Sequence, residues 1–211
     1  MENKPRGKFI ALEGGDGSGK GTVIKALHEA YNGDEVIFTR EPGGTPLGDQ
    51  IREMLQKQSD DEMCVMAELL LFNASRAEHL EKVIKPALAA GKTVFCDRFS
   101  LSTLAYQVYG RQRHDYLDKF RKIDQVVVDV NPDLYILLDL EPEVAHARVM
   151  QSGRDKLSRF DIEGIDFYKM VRLGYMSNIR NFNNKIVDVG DKTPLEIQRE
   201  VLEIVKKFLK K

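Results

Sequence analysis

The most chemically informative stretch of the sequence is a run of glycines that ends in a lysine and a threonine. It follows an apolar run at 8–13, precedes a helix-forming segment, and its spacing fits G-x-x-x-x-G-K. Glycines let the backbone curl so that its N–H groups face one centre, and the start of the helix adds partial positive charge. Lys20 can then reach the β- and γ-phosphates of a nucleotide. We therefore predict a phosphate-binding loop made of Gly14, Gly15, Asp16, Gly17, Ser18, Gly19, Lys20, Gly21 and Thr22.

One position departs from most loops of this kind. Gly21 stands where they usually place the serine or threonine whose hydroxyl binds magnesium directly. We therefore expect magnesium to depend more on water and on Asp97, and we expect Thr22 to lie near the α-phosphate. The Gly-Lys-Gly-Thr ending is similar to that of adenylate kinases. This similarity favours a nucleotide kinase over a GTPase switch.

The pattern of apolar residues also predicts the elements that must position this loop. Short apolar runs alternate with longer helix-period segments and predict strands at 8–13, 35–39, 93–96, 134–139 and 185–189. Strands separated by helices form βαβ units, which give a parallel sheet with helices on both faces. We predict a three-layer α/β fold with a five-stranded parallel sheet. No linker divides the chain, so we predict a single domain over residues 1–211.

A second group of candidate site residues follows the second and third predicted strands. Ligands of such sheets bind beyond the carboxyl ends of the strands, so segments 39–45 and 97–100, with Arg52, should face the phosphate-binding loop. Between them, Phe72 and Arg76 lie four residues apart on one face of a predicted long helix. An aromatic ring can stack on a nucleobase while an arginine bonds its edge. The same spacing is also typical of a core edge with a solvated charge.

Composition limits the classes of partner. The 32 lysines and arginines nearly balance the 33 aspartates and glutamates in 211 residues, so we expect no nucleic acid or membrane as partner. The start of the sequence lacks the apolar core of a secretory signal, and we expect a cytosolic protein. Cys64 and Cys96 lack metal-ligand spacing, and we assign a catalytic role to none of the four histidines.

Over almost its whole length the sequence resembles the thymidylate kinase family. The resemblance rests on the phosphate-binding loop and on Arg40-Glu41-Pro42-Gly43-Gly44-Thr45, Leu71-Phe72-Asn73-Ala74-Ser75-Arg76-Ala77, Asp97-Arg98-Phe99 and Ala105-Tyr106-Gln107. It implies the P-loop fold of nucleoside monophosphate kinases. It also implies phosphoryl transfer from ATP to dTMP with Mg²⁺ as cofactor, giving ADP and dTDP.

The resemblance implies roles for the residues near the phosphates. Lys20 and Arg98 would be catalytic, and Arg98 would hold the 5′-phosphate of the acceptor and bridge it to the γ-phosphate of the donor. Asp97 would bind magnesium through water. Asp16 would approach the sugar 3′-hydroxyl or the magnesium shell. Arg40 and Arg52 are further candidates for binding the acceptor.

It also implies a base-binding site. Phe72 would stack on the thymine, and Arg76 would bond its edge. Thr103 and Gln107 would lie near the base. Tyr106 would crowd the 2′ position of the ribose and so favour deoxyribose.

A segment at about 152–161 looks like the lid of the family. The family supplies a catalytic arginine either from the P-loop or from the lid. Here the loop carries Gly17 and the lid carries Arg154 and Arg159, so the chain resembles the bacterial type and both lid arginines would neutralise charge. Ser158 departs from the acidic residue expected before the second arginine. The family resemblance also suggests a homodimer formed through the helices at 63–89.

Other functions stay open on the sequence alone. A kinase for another monophosphate, such as dUMP or dGMP, fits because Thr103 and Gln107 do not by themselves determine the base. A regulatory P-loop ATPase or GTPase is a second alternative, although the chain lacks an Asn/Thr-Lys-x-Asp guanine signature. A third is a nucleotide-binding module without catalysis, in which the Asp97-Arg98 pair and the lid are idle.

Overall fold

A parallel β-sheet forms the centre of the fold. The computed structural model describes residues 5–59, 61, 63–153 and 157–210. Within these residues the strand order is β2-β3-β1-β4-β5, and every pairing is parallel. The strands are β1 (Phe9–Glu13), β2 (Val36–Arg40), β3 (Thr93–Asp97), β4 (Leu134–Asp139) and β5 (Asn184–Asp188). The five predicted strands are confirmed, because each observed end lies within one residue of its expected position.

The middle strand, β1, decides where a ligand can bind. It pairs with β3 on one side and with β4 on the other. The residues after β1 therefore lie where the direction of the chain across the sheet switches, which is where such sheets bind ligands. Leu12 lies beside Asp97, and Asp97 lies beside Arg40, so β1, β2 and β3 end together. The three segments that follow them meet at one edge of the sheet.

Helices cover both faces of the sheet. Successive side chains of β1 point to opposite faces, and all of them are buried. The helices are α1 (Lys20–Ala30), α2 (Pro46–Gln56), α3 (Val65–His79), α4 (Lys85–Ala89), α5 (Ser100–Thr103), α6 (Leu117–Val127), α7 (Pro142–Met150), α8 (Ile165–Asn178) and α9 (Pro194–Leu209). Shorter helical turns lie at Leu80–Ile84, Leu104–Gly110, His114–Tyr116 and Ile179–Asn181. This arrangement confirms the predicted three-layer α/β fold.

The helix expected at 63–89 forms with an irregularity in the middle. A π-helical turn at Leu80–Ile84 joins α3 to α4. A second π-helical turn, at Leu104–Gly110, continues α5. π-helical turns often accompany functional sites, and the second one carries Tyr106 and Gln107, two residues predicted to bind substrate.

Local sequence signals set where two helices begin. The side chain of Thr45 accepts a hydrogen bond from the backbone N–H of Gly48 at 3.0 Å, and Pro46 follows the cap. Thr193 and Glu196 form a reciprocal capping box at the start of α9. The cap at Thr45 fixes the point at which the segment after β2 turns away from the sheet.

Most of the buried apolar side chains in the described part of the chain form one cluster. It contains residues of β1, β3, β4, α8 and α9, so both ends of the described chain contribute to the same core. A single domain over the whole sequence stays a prediction. In the part of the chain that the structure describes, no helix combines the length and apolar composition that a membrane crossing requires.

Candidate active site

The phosphate-binding loop connects the end of β1 to the start of α1. Gly19 precedes the helix with a φ of 87°, a left-handed conformation that glycine adopts without a side-chain clash. Lys20 follows, and its Nζ donates to the carbonyl oxygens of Gly14 at 2.9 Å and Gly15 at 3.4 Å. Residues 15–22 all line one large cavity, and Gly14 lies just outside its lining. The loop and its lysine therefore face the same space.

Lys20 is buried beside another cation. Loss of water around the amino group, followed by repulsion from Arg98, lowers the pKa of Lys20 from 10.5 to about 8. Asp97 and Asp16 oppose this shift without cancelling it. An anion between Lys20 and Arg98 relieves their repulsion, so the two cations form an electrostatic site for a phosphate group.

Gly17 leaves no room for a side chain in the loop. Its φ is 82°, and a Cβ atom built on it lies 2.5 Å from the carbonyl oxygen of Ala145. An arginine here would require both a strained backbone and a shift of α7. The geometry therefore supports a catalytic arginine supplied from elsewhere, and its supply from the lid stays a prediction.

Arg98 leaves the end of β3 in a conformation that non-glycine residues seldom adopt. Its φ is 67°, and its backbone N–H donates to the carbonyl oxygen of Leu12 at 2.9 Å. The guanidinium donates from Nη1 to Gly14 O at 3.0 Å and from Nη2 to Asp16 Oδ1 at 2.7 Å. Nη2 also donates to the hydroxyl of Tyr106 at 3.0 Å. These bonds hold a strained residue beside the phosphate-binding loop, as expected of a functional group.

A buried carboxyl group behind Arg98 was not identified from the sequence. Glu13 Oε1 accepts from the backbone N–H of Phe99 at 2.9 Å, and Oε2 accepts from the hydroxyl of Ser102. The hydroxyls of Ser102 and Tyr175 lie 2.7 Å apart. Burial raises the pKa of Glu13 to about 7, although Ser102 and Arg98 lower it in part. The missed signal is a glutamate that ends an apolar strand directly before the loop.

Arg52 reaches the cavity, whereas Arg40 is placed at the surface. Arg52 lines the cavity and donates to the carbonyl oxygen of Pro42 at 3.1 Å. Burial, and then repulsion from Arg40 and Arg98, lowers the pKa of Arg52. Arg40 bonds Asp49 at 3.3 Å and is not among the residues that line the cavity. Arg52 is thus in a position to bind an anion, and a role for Arg40 stays a prediction.

Some of the residues predicted to bind the acceptor's base and sugar line the cavity, and others do not. Phe72, Tyr106 and Gln107 line the cavity itself. The ring of Phe160 packs between two of them, with its centroid 6.2 Å from that of Phe72 and 6.1 Å from that of Tyr106. This cluster provides the aromatic surfaces that a nucleobase requires for stacking.

Arg76 and Thr103 are buried and do not reach the cavity lining. Arg76 is 1% exposed and donates to Glu41 at 2.8 Å, to Thr103 at 2.8 Å and to Asn73 at 3.3 Å. Neither Arg76 nor Thr103 is among the residues that line the cavity. Direct contact of Arg76 with a base stays a prediction, and what the structure adds is a buried ion pair with Glu41.

That ion pair is part of a network under the segment after β2. Glu41 Oε1 lies 3.0 Å from His79 Nδ1, and His79 Nε2 lies 2.6 Å from the hydroxyl of Thr39. Cys96 lies close enough to complete a three-ligand group with Glu41 and His79. Both carboxylate oxygens and both ring nitrogens already have protein partners, so the group satisfies its own hydrogen bonds. Through Glu41, this network holds the Arg76 side chain in place.

The lid is described in part. Arg154 lies outside the described residues. Arg159 Nε donates to the carbonyl oxygen of Leu55 at 2.6 Å, and Nη2 lies 2.7 Å from a carboxylate oxygen of Glu68. Ser158 donates to Asp161 from both its backbone N–H and its hydroxyl, which closes a tight turn in place of the expected acidic residue. The lid therefore rests on α2 and α3, and the catalytic role of Arg159 stays a prediction.

The acidic residues suit a divalent cation to different degrees. Asp97 lines the cavity, and its Oδ1 is buried without a hydrogen-bond partner among the described residues. Carboxylate oxygen is the ligand that Mg²⁺ prefers, so Asp97 fits the predicted metal site. Asp16 also lines the cavity, but its oxygens bind Arg98 at 2.7 Å and Tyr106 at 2.8 Å. A metal contact from Asp16 would share an oxygen that already accepts one of these bonds.

Two further residues of the site were missed in the sequence. Arg148, near the end of α7, lines the cavity. Glu68 is buried and binds both Gln107 and Arg159. A signal for Glu68 was present, because it lies four residues before Phe72 and eight before Arg76 on one helix face. Arg148 had no comparable signal, since an exposed arginine near a helix end is common.

One cavity connects the phosphate-binding loop with the predicted acceptor-binding residues that line it. Its volume is about 1210 Å³, and it extends from the phosphate-binding loop past Asp97 and Arg98 to Phe72 and Gln107. Pockets for one small ligand commonly measure about 300–1,000 Å³. The volume of this cavity exceeds that range.

Comparisons with known proteins agree with this geometry. The family model described as Thymidylate kinase matches residues 12–201. The thymidylate kinase of Clostridium novyi (strain NT) is 39% identical over 208 residues, which cover 97% of this chain and 99% of that protein. That of Bacillus mycoides (strain KBAB4) is 40% identical over 204 residues, or 95% of this chain and 97% of that protein.

A solved structure shows the same relationship in three dimensions. The crystal structure of thymidylate kinase from Ehrlichia chaffeensis superimposes with a TM-score of 0.74 at 32% sequence identity. The match covers 95% of this chain and 100% of that one. With a matching family model, relatives near 40% identity and a solved neighbour that agree over almost its whole length, the chain belongs to the thymidylate kinase family.

Proposed function

We propose that this chain transfers the γ-phosphoryl group of ATP to dTMP, giving ADP and dTDP. The observation that carries the proposal is the single cavity in which Arg98 lies between the phosphate-binding loop and the aromatic cluster around Phe72. A site for hydrolysis alone needs no stacking surface for a second nucleotide. Here one cavity holds a triphosphate cradle at one end and stacking surfaces at the other, with a cation at the junction.

Catalysis in this site depends on positioning and on charge. Both nucleotides are anionic, so the chain must align two phosphates that repel each other. Lys20 faces the donor phosphates, and Arg98 lies where an acceptor phosphate meets the donor. The two cations neutralise charge as the phosphoryl group moves, and no covalent intermediate with the chain is required.

Mg²⁺ is proposed as the cofactor, held through Asp97. When bound, it supplies positive charge to the β- and γ-phosphates. The buried, unpartnered Oδ1 of Asp97 supports this choice among the described residues. With Gly21 after Lys20, the loop lacks the usual hydroxyl ligand at that position, which increases the dependence on Asp97.

The acceptor is held by stacking and by its sugar. Phe72 provides a ring for the thymine, and Tyr106, which lines the same cavity, is assigned to the ribose. The hydroxyl of Tyr106 donates to Asp16 at 2.8 Å, which fixes the position of the ring. A ring fixed in this way leaves little room for a 2′-hydroxyl, and this accounts for a preference for deoxyribose.

An assay of ADP release across acceptors tests the proposal. We expect rapid ADP formation with dTMP, and slower turnover with dUMP and dGMP. Chromatography should show dTDP formed in equal amount to ADP. ATP hydrolysis without any phosphorylated acceptor would support a regulatory ATPase instead. Absence of turnover with every acceptor would support a binding module.

We further propose a homodimer formed through α3 and its neighbours. Four large apolar side chains of these helices are exposed: Leu47 at 48% and Met54 at 55% on α2, Leu70 at 49% on α3 and Val126 at 85% on α6. α3 packs against both α2 and α6, so the helices that carry these residues are neighbours. Light scattering on the purified chain should give about twice the monomer mass of 24.0 kDa. A cytosolic location stays a prediction.

A further inference from the structure

Glu68 is a buried carboxylate that contacts both the base end of the cavity and the lid. It is 1% exposed on α3. Its Oε1 accepts a hydrogen bond from Gln107 Nε2 at 2.8 Å. Its Oε2 lies 2.7 Å from Arg159 Nη2 and 3.5 Å from Arg111 Nη2. The two guanidinium groups compensate the buried charge, so Glu68 acts as a carboxylate, which can only accept hydrogen bonds.

This contact fixes the orientation of the Gln107 amide. A glutamine side chain can turn so that its oxygen and nitrogen exchange places, and only hydrogen-bond partners select one orientation. Glu68 requires a donor, so Gln107 must direct Nε2 at it. The opposite orientation would place the carbonyl oxygen of Gln107 against a carboxylate oxygen, with both atoms buried and unable to bond.

The carbonyl oxygen of Gln107 is therefore the atom left for a ligand. Gln107 is 0% exposed and lines the cavity with Phe72. Its Oε1 is buried and has no hydrogen-bond partner in the described part of the chain. A buried acceptor without a partner is destabilising, and a donor on a bound molecule removes that penalty.

Pyrimidines differ in whether they carry that donor. Thymine and uracil have a hydrogen on N3, whereas cytosine has an unprotonated N3 that only accepts. An amide that presents its oxygen accepts a hydrogen bond from N3 of thymine or uracil. With cytosine, that oxygen would face N3, and two acceptors cannot bond each other. The choice between them is thus set by which end of the Gln107 amide faces the cavity.

We propose that Glu68 is a positioning residue that determines base specificity through Gln107. It holds the amide with the oxygen toward the base, so the site accepts a pyrimidine with a hydrogen on N3 and disfavours cytosine. This inference rests on the proposed function and adds a residue that does not itself touch the substrate.

The test compares acceptors in Glu68→Gln. An amide at position 68 can donate as well as accept, so Gln107 is free to turn. We expect the ratio of kcat/KM for dTMP over dCMP to fall about tenfold or more, the effect of one buried hydrogen bond. The ratio for dTMP over dUMP should stay unchanged, because both bases carry the N3 hydrogen.

Ratios of kcat/KM between acceptors separate the effect of Glu68 on Gln107 from its contact with the lid. Loss of the Glu68 charge also releases Arg159, which lowers turnover with every acceptor alike and cancels in a ratio. Glu78→Gln, at a half-buried position of the same helix where the carboxylate pairs with Lys82, is the matched control and should leave both ratios at their wild-type values. In a Gln107→Leu background, Glu68→Gln should change the dTMP/dCMP ratio no further.

A binding probe covers the case in which the Glu68 variant does not fold. Wild-type protein should bind dTMP methylated at N3 at least about tenfold more weakly than dTMP, as measured by calorimetry. Equal binding overturns the inference, and so does an unchanged dTMP/dCMP ratio in a folded Glu68→Gln variant. Wild-type protein that phosphorylates no dTMP overturns the proposed function and this inference with it, whereas active wild type with unchanged ratios overturns the inference alone.

Discussion

The Nη2 atom of Arg98 lies 2.7 Å from Oδ1 of Asp16, and this ion pair joins the end of β3 to the phosphate-binding loop. Eighty-two residues separate the two in sequence. The same guanidinium also bonds the carbonyl oxygen of Gly14, so its position is fixed relative to the loop. An acceptor phosphate bound by Arg98 is thereby held at a defined distance from the donor phosphates.

The first prediction concerns Arg98. Arg98→Ala should lower kcat by about a hundredfold or more, because it removes a preorganised donor to the transferring group. Arg98→Lys keeps the charge but cannot bind a phosphate in a bidentate way, so its kcat should lie between those of Arg98→Ala and wild type. Steady-state kinetics with dTMP and ATP measure both. Arg121→Ala, at an exposed position, is the control, and near-normal turnover in folded Arg98→Ala contradicts the assignment.

Phe72 should act on acceptor binding. Phe72→Ala should raise KM for dTMP about tenfold or more, since stacking of a base on an aromatic ring contributes about 1–3 kcal/mol. KM for ATP should change little, because the ring lies at the other end of the cavity. Phe72→Tyr keeps a ring and should bind dTMP nearly as well as wild type. An unchanged KM for dTMP in Phe72→Ala removes this residue from the base site.

The lid arginines should act on the donor side. Replacing both Arg154 and Arg159 by alanine should reduce turnover at saturating dTMP, because the charge on the transferring phosphoryl group loses two partners. Binding of dTMP alone, measured by calorimetry, should be retained. If the double variant loses dTMP binding, the arginines support the acceptor site instead. The single variants Arg154→Ala and Arg159→Ala then show whether loss of the contact between Arg159 and Glu68 causes the loss of dTMP binding.

The charge on Lys20 predicts a pH dependence. Its pKa is lowered to about 8 in the free chain, so the charged form is present below that pH and is lost as the pH rises through it. The value of kcat/KM for ATP should therefore fall above pH about 8, since this parameter reports the free enzyme. Lys20→Arg stays charged, so its kcat/KM for ATP should not fall in this pH range. A wild-type profile that stays flat well above this pH contradicts the prediction.

Glu13 should couple stability to pH. Its pKa is raised from 4.5 to about 7, so the folded chain retains this proton where the unfolded chain has released it. The free energy of unfolding should therefore decrease as the pH rises from about 4.5 to about 7, by about 3 kcal/mol from this group.

Urea unfolding at several pH values tests that coupling. The stability of wild type minus that of Glu13→Gln should decline across the same interval and become constant above it, because glutamine does not titrate. Glu29→Gln, at an exposed position, controls for the loss of a carboxylate at the surface. A difference that does not vary with pH shows that Glu13 has the same pKa in both states.

Short-range patterns explain why most of the fold could be predicted. Strands at the five expected places, and the glycine turn that starts α1, depend on residues within a few positions of one another. The loop motif and the acceptor motifs could be placed at one edge because parallel strands end together. Phe72 and Gln107 were expected near the base and Tyr106 near the ribose, and all three line the cavity.

Partners distant in sequence decided the rest. The sequence alone determined a phosphate-binding loop, a parallel sheet and a set of candidate side chains at its edge. Only the tertiary structure showed that Arg76 is buried in an ion pair with Glu41 and does not line the cavity. Only the tertiary structure showed that Glu68 contacts Gln107 and Arg159. Burial, pKa and the orientation of an amide are set by whichever groups pack around a residue. These groups come from several elements, so no local pattern specifies them.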